Sequence, residues 1–277
     1  MKKNKVLIGI AVILLIVAVS YTYWITNANK EPEFIILSTT TSTQDSGLLD
    51  YLLPFFESKY DIDVKVVAVG TGAALQMGRD GEADVLLVHA KADEVTFVEE
   101  GHGLERFDVM YNDFILVGPT GSEAAATIKA SADTAAAFQA IVDNAFVFVS
   151  RGDDSGTHKK EIKLWAEAPA GDWYVSAGKG MGDVLQMANE LQGFTLTDRA
   201  TYLSMKDQLE LEIVLEGDTA LLNYYGVIAV NPDKNDIINA KGADKFVKWI
   251  LSDETQSLIG EFGLEEFGQP LFFPNAK

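Results

Sequence analysis

Short apolar runs alternate along the chain with segments whose apolar residues recur at helical spacing. The runs that predict strands lie at residues 34–37, 64–69, 85–88, 145–149 and 225–230. The segments that predict helices lie at residues 48–56, 74–77, 132–142, 162–165, 184–191, 197–205 and 246–251. Such alternation is the pattern of an α/β fold, in which helices cover the faces of a sheet. Pro54 lies inside the first helical segment and is expected to kink or shorten that helix.

A basic segment followed by an apolar one opens the sequence. Lys2, Lys3 and Lys5 precede an uncharged run over 6–25, which is about as long as the ~20 residues that cross a bilayer. We interpret residues 1–30 as an N-terminal membrane anchor, with a signal segment cleaved near residue 28 as the alternative. Both interpretations place the rest of the chain outside the cytoplasm, because the lysines stay inside.

The composition excludes several classes of protein. The formal net charge is −19, from 41 acidic and 22 basic side chains. A surface of this sign repels nucleic acid and anionic lipid, so nucleic acid is not an expected partner. The chain contains no Cys, which excludes disulfides, thiol catalysis and thiolate metal sites. Any anion site on this body must depend on short hydrogen bonds and nearby cations, because the overall field opposes it.

Four consecutive hydroxyl side chains, Thr39 to Ser42, follow the first predicted strand and precede a predicted helix. Hydroxyls and backbone N–H groups at such a turn donate hydrogen bonds to the oxygens of a small anion. Ser and Thr are also preferred helix N-caps, so an ordinary cap would explain the run as well. The run alone does not decide between the two interpretations.

A second polar turn, residues 150–157, follows another predicted strand and contains Arg151. A guanidinium group makes paired hydrogen bonds to an oxyanion, and the hydroxyls of this turn open the next predicted helix. We expect one of Asp153 and Asp154 to cap that helix and the other to orient Arg151. The two turns together predict a pocket for a tetrahedral anion, built from distant segments of the chain.

A third turn, Gly70-Thr71-Gly72, follows the second predicted strand. It is similar to the start of a dinucleotide-binding fingerprint, but Leu75 replaces the third Gly and no suitable acidic residue follows, so a nicotinamide or flavin cofactor is not expected. Instead, a tight turn lets the backbone of Gly72 and the hydroxyl of Thr71 approach a ligand. A purely structural turn is the alternative.

The remaining polar motifs point to no catalytic centre. Ser155 and His158 are three residues apart, but no nucleophile elbow frames the Ser, and the three His residues lack metal-ligand spacing. We therefore expect no enzyme activity, no resident cofactor and no protein-coordinated metal. Residues 223–226 are interpreted as packing at a domain crossing, with ligand contact as the weaker alternative.

Six segments together resemble the tungstate-binding proteins of ABC uptake transporters, within the periplasmic-binding-protein superfamily. In the order of that family, these segments are residues 38–43, 69–72, 83–90, 110–114, 150–161 and 225–232. Two features depart from the family: Pro is usual in the segment that here reads Asn223-Tyr224-Tyr225, and the N-terminus is not a lipoprotein signal.

The resemblance implies an α/β fold of two lobes joined by a hinge, with tungstate or molybdate held in the cleft between them. Lobe I would comprise residues 31–117 and a return segment 228–277, and lobe II residues 118–227. The predicted ligand-binding residues come from all three turns: Thr40, Thr41, Ser42, Thr71, Gly72, Arg151, Ser155, Gly156 and Thr157. The expected partners are an ABC permease, its ATPase and, through the N-terminal helix, the membrane, with the protein itself a monomer.

Three alternatives stay open on the sequence. A phosphate-binding protein of the same fold would use Asp153 or Asp154 to accept the phosphate proton. An anchored sensor or adhesion ectodomain would keep the fold without the transport role, and a hydrolase would use Ser155 and His158. The choice of tungstate over molybdate depends on the resemblance alone, because the two anions have nearly the same size and shape.

Overall fold

The structure, a computed structural model, describes residues 33–277. The predicted N-terminal hydrophobic helix over residues 1–30 lies outside the described residues. Within residues 33–277, no helix is both long and apolar enough to cross a membrane. The strands are β1 (Glu33–Thr40), β2 (Ile62–Val69), β3 (Val85–Val88), β4 (Gly103–Pro119), β5 (Phe148–Ser150), β6 (Tyr174–Ser176), β7 (Thr195–Asp198), β8 (Leu211–Leu215), β9 (Leu222–Val230) and β10 (Phe273–Pro274).

Helices follow most of these strands, as expected of an α/β fold. The helices are α1 (Thr41–Asp45), α2 (Leu48–Tyr60), α3 (Thr71–Asp80), α4 (Lys91–Glu99), α5 (Glu123–Lys129), α6 (Thr134–Asn144), α7 (Gly156–Ile162), α8 (Met181–Leu191), α9 (Arg199–Met205), α10 (Ala240–Ile250), α11 (Asp253–Glu261) and α12 (Leu264–Phe267). The five predicted strands and the helix predicted over residues 246–251, here α10, are confirmed, with shifts of a few residues at their ends.

The first sheet has the strand order β10-β4-β9-β3-β1-β2. β1 and β3 are parallel, whereas β9 is antiparallel to both β3 and β4. The carboxyl ends of β1 and β3 therefore lie side by side at one edge of the sheet. Gly226 of β9, which pairs with Val88 at the end of β3, lies next to them. This edge carries the first polar turn, which begins at Thr40.

The second sheet shares β4 with the first. Residues 103–113 of β4 pair with β9, and residues 114–119 pair with β7 and β8. A parallel bridge from Phe148 to Phe194 places β5 and its partner β6 beside β7. The chain thus passes between the sheets inside β4, at Asp113–Phe114, and returns between β8 and β9. The lobe boundaries at residues 117 and 227 stay predictions.

One large apolar cluster contains residues of both sheets, and a second cluster packs on the second sheet. Around the first sheet, Phe56 of α2 packs against Phe246 and Trp249 of α10, with ring centroids 5.2 and 5.1 Å apart. Around the second, Trp165 packs against Phe138 at 4.5 Å. These rigid layers hold the turns at their edges in defined positions.

The helix predicted over residues 162–165 is wrong, because α7 ends at Ile162 and Lys163 is its C-cap. Two further expectations differ from the structure. Pro54 does not shorten α2, which continues to Tyr60 because the buried face on both sides of the proline packs into the core. A kink at Pro54 stays a prediction. The segment predicted as one helix from Thr197 to Met205 is instead the strand β7 followed by α9. The side chain of Asp198 caps α9 by accepting from the backbone N of Thr201, which fixes the later start of the helix.

Candidate anion-binding site

The threonine turn contains both buried and exposed hydroxyls. Thr39 and Thr40 are buried, and Thr39 Oγ1 donates to the carbonyl of Leu87 at 2.6 Å. Thr40 is the N-cap of α1, with its Oγ1 accepting from the backbone N of Thr43 at 3.4 Å. Thr41 and Ser42 are exposed. The two interpretations of the run therefore apply to different residues: Thr40 is a cap, while Thr41 and Ser42 are available to a ligand.

The arginine turn has a backbone that only glycine accommodates at one position. Gly152 has φ +60°, and a Cβ there would lie 2.0 Å from Ser176 Oγ. Arg151 donates from Nε and Nη2 to one oxygen of Asp153, at 3.1 and 2.5 Å. Burial pushes the pKa of Asp153 up, but hydrogen bonds from Ser155 and Arg151 outweigh this effect and leave the pKa below its usual value. Asp153 is therefore a carboxylate that orients Arg151, as predicted.

The expectation that an aspartate caps the following helix is wrong. Ser155 is the N-cap of α7, and its Oγ accepts from the backbone N of His158 at 3.3 Å. Asp154 instead has φ +59° and an exposed side chain, which lies 3.3 Å from Lys159 Nζ. Asp153 is already engaged by Arg151 and by the backbone N of Ser155, so its carboxylate is not free to cap the helix.

A buried carboxylate fixes the start of the arginine turn. Glu161 of α7 is 2% exposed and accepts hydrogen bonds from Ser150 Oγ at 2.5 Å, Trp165 Nε1 at 2.9 Å and Tyr174 OH at 2.8 Å. Ser150 Oγ in turn accepts from the backbone N of Gly152 at 3.2 Å. Because all these groups are held by packed side chains, the residues on both sides of Arg151 are fixed in place.

A cavity of about 400 Å³, which we call the arginine cavity, is lined by both polar turns. Thr41 and Ser42 line it from the first turn and Arg151 from the second. The other residues that line it are Asp45, Ser46, Gly180, Met181, Gly182, Asp198, Ala200, Thr201, Ser204, Phe262, Glu266, Phe267 and Leu271. Residues about 110 positions apart in the sequence therefore face the same space.

A second, much smaller space of about 10 Å³, the central cavity, adjoins the arginine cavity and has room for roughly one water molecule. It is lined by Ser42, Ser46, His89, Asn112, Phe114, Thr157, Asp198, Asn223 and Tyr225. Ser42, Ser46 and Asp198 line the arginine cavity as well. The central cavity thus lies where elements of both sheets approach each other.

A third space of about 360 Å³, the lysine cavity, lies beyond the central cavity and shares His89, Phe114 and Asn223 with it. The other residues that line it are Thr71, Gly72, Ala90, Lys91, Ala92, Asp93, Gly156, Lys159, Lys160, Lys163, Leu222 and Tyr224. Gly156 lies so close to His89 that a Cβ at residue 156 would be 2.8 Å from His89 Cε1. This glycine therefore allows α7 to approach the end of β3.

The nine predicted site residues are distributed over these cavities. Thr41, Ser42 and Arg151 line the arginine cavity, and Thr157 with Ser42 lines the central one. Thr71, Gly72 and Gly156 line the lysine cavity. Thr40 and Ser155, both helix caps, line none of the three. Ligand contact by these residues stays a prediction.

Sequence reasoning missed His89, which is at the centre of the arrangement. Its Nε2 lies 3.1 Å from Thr40 Oγ1 and 3.4 Å from Ser42 Oγ, and its ring packs on Tyr225 with centroids 4.9 Å apart. Burial lowers the pKa of His89 to about 4, against a smaller opposing effect of the hydrogen bond with Asn223. The imidazole is therefore neutral at pH 7. Its position directly after the buried strand β3 is the signal that could have identified it.

Two further residues of the central cavity come from paired strands. Asn112 of β4 and Asn223 of β9 are opposite each other, and Asn223 Nδ2 donates to Asn112 Oδ1 at 2.9 Å. Tyr225, in the segment interpreted as packing, is 1% exposed, and burial raises the pKa of its hydroxyl further above the usual range. All three are polar side chains in strand segments that otherwise form the core.

The geometry does not form a nucleophile and base from Ser155 and His158. Ser155 Oγ is bonded to the backbone N of His158, while His158 Nδ1 accepts from the backbone N of Asp154 at 3.0 Å. Within residues 33–277, no group of three or more His, Asp or Glu side chains is arranged to hold a metal ion.

Two sheets joined through a shared strand, with a polar cleft where their edges meet, define a ligand-binding protein of the periplasmic type, and the family model for the PBP superfamily domain matches residues 26–254. The tungstate-binding protein TupA of Peptoclostridium acidaminophilum is 63% identical over 245 residues, which cover 87% of this chain and 86% of that one. The chain belongs to this family of tungstate-binding proteins. The family is one of binding proteins, which confirms the expectation that the chain is not an enzyme.

Two solved structures agree with this assignment. The tungstate-binding protein TupA from Desulfovibrio alaskensis G20 is 44% identical, with a TM-score of 0.80 over 88% of this chain and 100% of that one. The tungstate ABC transporter protein from Geobacter sulfurreducens is 45% identical, with a TM-score of 0.74 over 84% of this chain and 100% of that one. The predicted α/β periplasmic-binding-protein-like fold is confirmed.

Proposed function

We propose that this protein captures a tetrahedral dianion, tungstate first and molybdate second, and delivers it to an ABC uptake transporter. The observation that carries the proposal is the shared lining of the arginine cavity by Thr41, Ser42 and Arg151. The names of the relatives supply the identity of the anion. The mechanism is binding alone, so no bond is made or broken.

The chemistry of the lining suits a fully deprotonated anion. Arg151 supplies one permanent positive charge, and the hydroxyls of Thr41 and Ser42 are neutral donors. Asp153 and Asp154 line none of the three cavities, so they are not placed to accept a proton from hydrogenphosphate. Sulfate is smaller than tungstate and would make fewer simultaneous contacts with these donors.

The two sheets would act as the two lobes of a hinged protein. The connections between them are inside β4, at Asp113–Phe114, and between β8 and β9. Arg199 at the start of α9 makes two hydrogen bonds to Asp113, at 2.8 and 2.6 Å, and so braces one connection. A hinge at these connections would let the turn with Thr41 and the turn with Arg151 close on the anion.

The location and partners that we propose for the chain follow from the class of protein. We place the chain outside the cytoplasm, either anchored by the N-terminal helix or released after cleavage. Its partners are the permease and ATPase of the transporter, and the −19 net charge argues against nucleic acid. A monomer is sufficient, because the described residues of a single chain form all three cavities.

A thermal-shift series on the full chain with tungstate, molybdate, sulfate and phosphate tests the proposal. A ligand at about a thousandfold above its dissociation constant adds roughly 4 kcal/mol of stability, which is readily visible in the melting temperature. We expect large shifts with tungstate and molybdate, and small ones with sulfate and phosphate. A shift with phosphate alone, falling steeply with pH, would instead identify a phosphate-binding protein.

A further inference from the structure

We infer that the lysine cavity is the electropositive entrance through which the dianion reaches the cleft, and that it raises the rate of capture. The inference rests on the proposed function, since it assigns the route taken by the same anion. Among residues 33–277, four lysines, Lys91, Lys159, Lys160 and Lys163, line this cavity, together with one acidic residue, Asp93.

The lysines come from separate elements that converge on one space. Lys91 begins α4, while Lys159 and Lys160 belong to α7 and Lys163 is its C-cap. Lys159 lies 3.3 Å from Asp154 and Lys91 3.5 Å from Asp108, but both lysines are exposed and such ion pairs are weak. Lys160 Nζ donates to the carbonyl of Leu222 at 2.9 Å, so this ammonium interacts with a neutral acceptor.

Two of these positive charges, Lys160 and Lys163, repel each other. Burial lowers the pKa of Lys160 and repulsion by the neighbouring Lys163 lowers it further, against a smaller opposing attraction by Asp218. A divalent anion in this cavity would relieve that repulsion. The lysine cavity is therefore a local region of positive potential on a chain with a net charge of −19.

The other side of the cleft is unsuitable as an entrance. Three carboxylates, Asp45, Asp198 and Glu266, line the arginine cavity together with the single guanidinium of Arg151. An approaching dianion would be repelled there until it came within reach of Arg151. At the lysine cavity it is attracted from a distance, and the shared residues His89, Phe114 and Asn223 connect that cavity to the centre of the cleft.

The double variant Lys159→Gln/Lys163→Gln tests this route. Both side chains are exposed, so the fold should tolerate the change. The control is Lys241→Gln/Lys248→Gln on α10, which removes the same charge from exposed lysines that line none of the three cavities. Lys248 pairs with Asp244 as Lys159 pairs with Asp154, so the control is also matched for ion pairs.

Sodium tungstate is titrated into the full-length wild type and both variants by calorimetry at about 10 and about 500 mM NaCl. At low salt we expect Lys159→Gln/Lys163→Gln to bind tungstate about fivefold more weakly than the control variant. At high salt the difference in affinity should be less than about twofold. The weakening should reside in the association rate constant, measured by stopped flow.

Equal tungstate affinities of Lys159→Gln/Lys163→Gln and the control variant at low salt would overturn the inference. A loss of affinity that persists at high salt would also overturn it, because it would mean that the lysines hold the bound anion directly. Absence of tungstate binding by the wild type would refute the proposed function itself, which separates the two failures.

Discussion

The arginine cavity and the lysine cavity lie on either side of one polar centre and have opposite local charge. The first has three carboxylates and one guanidinium, and the second has four ammonium groups and one carboxylate. The cation of the arginine cavity is also held in place by hydrogen bonds, because Asp153 orients Arg151 and Glu161 fixes its turn. The difference teaches that holding an anion and attracting it are separate tasks, assigned to different residues.

This division has a physical reason. A preorganised guanidinium with short hydrogen bonds holds an anion at one defined position, which gives affinity and selectivity. Flexible lysines at an exposed rim act over about a Debye length, which affects the rate of arrival more than the stability of the complex. Changes on the two sides should therefore affect different measurements.

The largest expected effect is that of Arg151→Ala. Removal of the guanidinium takes away the one positive charge of the arginine cavity and leaves Asp153 without its main partner. We expect tungstate to bind about 100-fold more weakly, which corresponds to ~2.7 kcal/mol. Calorimetric titration measures it, with Arg79→Ala as the control, since Arg79 pairs with Glu100 and lines none of the three cavities. Unchanged affinity in Arg151→Ala would remove the arginine cavity from the proposal.

The second-largest expected effect is the pH dependence of stability that His89, between the two cavities, contributes. Its pKa in the folded protein is about 4, whereas an unfolded His has a pKa of about 6.5. As the pH falls from 6.5 to 4, the unfolded chain takes up a proton that the folded chain refuses, so stability decreases over that window. We expect a loss of roughly 2 kcal/mol in urea unfolding, because the side chain keeps some contact with solvent.

His89→Gln should flatten this part of the pH profile, since glutamine does not titrate. Identical pH profiles for the wild type and the variant would show that the imidazole is not held neutral by its surroundings. Such a result would weaken the description of the central cavity as neutral and buried.

A smaller effect is expected for Gly156→Ala. A Cβ at residue 156 would lie 2.8 Å from His89 Cε1, so α7 or the imidazole must move. We expect tungstate affinity to fall about tenfold, the lower end of the cost of overpacking. The control is Gly70→Ala, because a Cβ there meets nothing within 4 Å and residue 70 lines none of the three cavities. Equal affinities of the two variants would contradict a close approach at Gly156.

The smallest effect is expected for Glu266→Gln at the rim of the arginine cavity. Removal of one carboxylate near Arg151 should strengthen tungstate binding by less than about twofold at low salt, because the group is exposed and screened. Glu265→Gln is the matched control, because Glu265 is the exposed neighbour of Glu266 but does not itself line the cavity. A stronger effect of the control would show that the two cavities are not electrostatically distinct.

Much of this was available from local sequence. Hydroxyl side chains at residues 40 and 155–157 open α1 and α7, as local side-chain hydrogen bonding predicts. The sequence did not decide which residue caps α7, where Ser155 stands in place of the expected aspartate. The alternation of apolar runs predicted the α/β fold, because the periodicities of helices and strands also depend on residues that are close in sequence. The segment 197–205 was misassigned because β7 exists only through its pairing with β4, which is a contact distant in sequence.

The sequence by itself determined the elements, the two polar turns and the choice of Thr41, Ser42 and Arg151 as candidates, since each depends on the chemistry of neighbouring residues. Only the tertiary structure decided that these three share one cavity, that Thr71 and Gly156 line another, and that His89 lies between them. The reason is that β4 passes through both sheets and brings together edges that no local pattern relates.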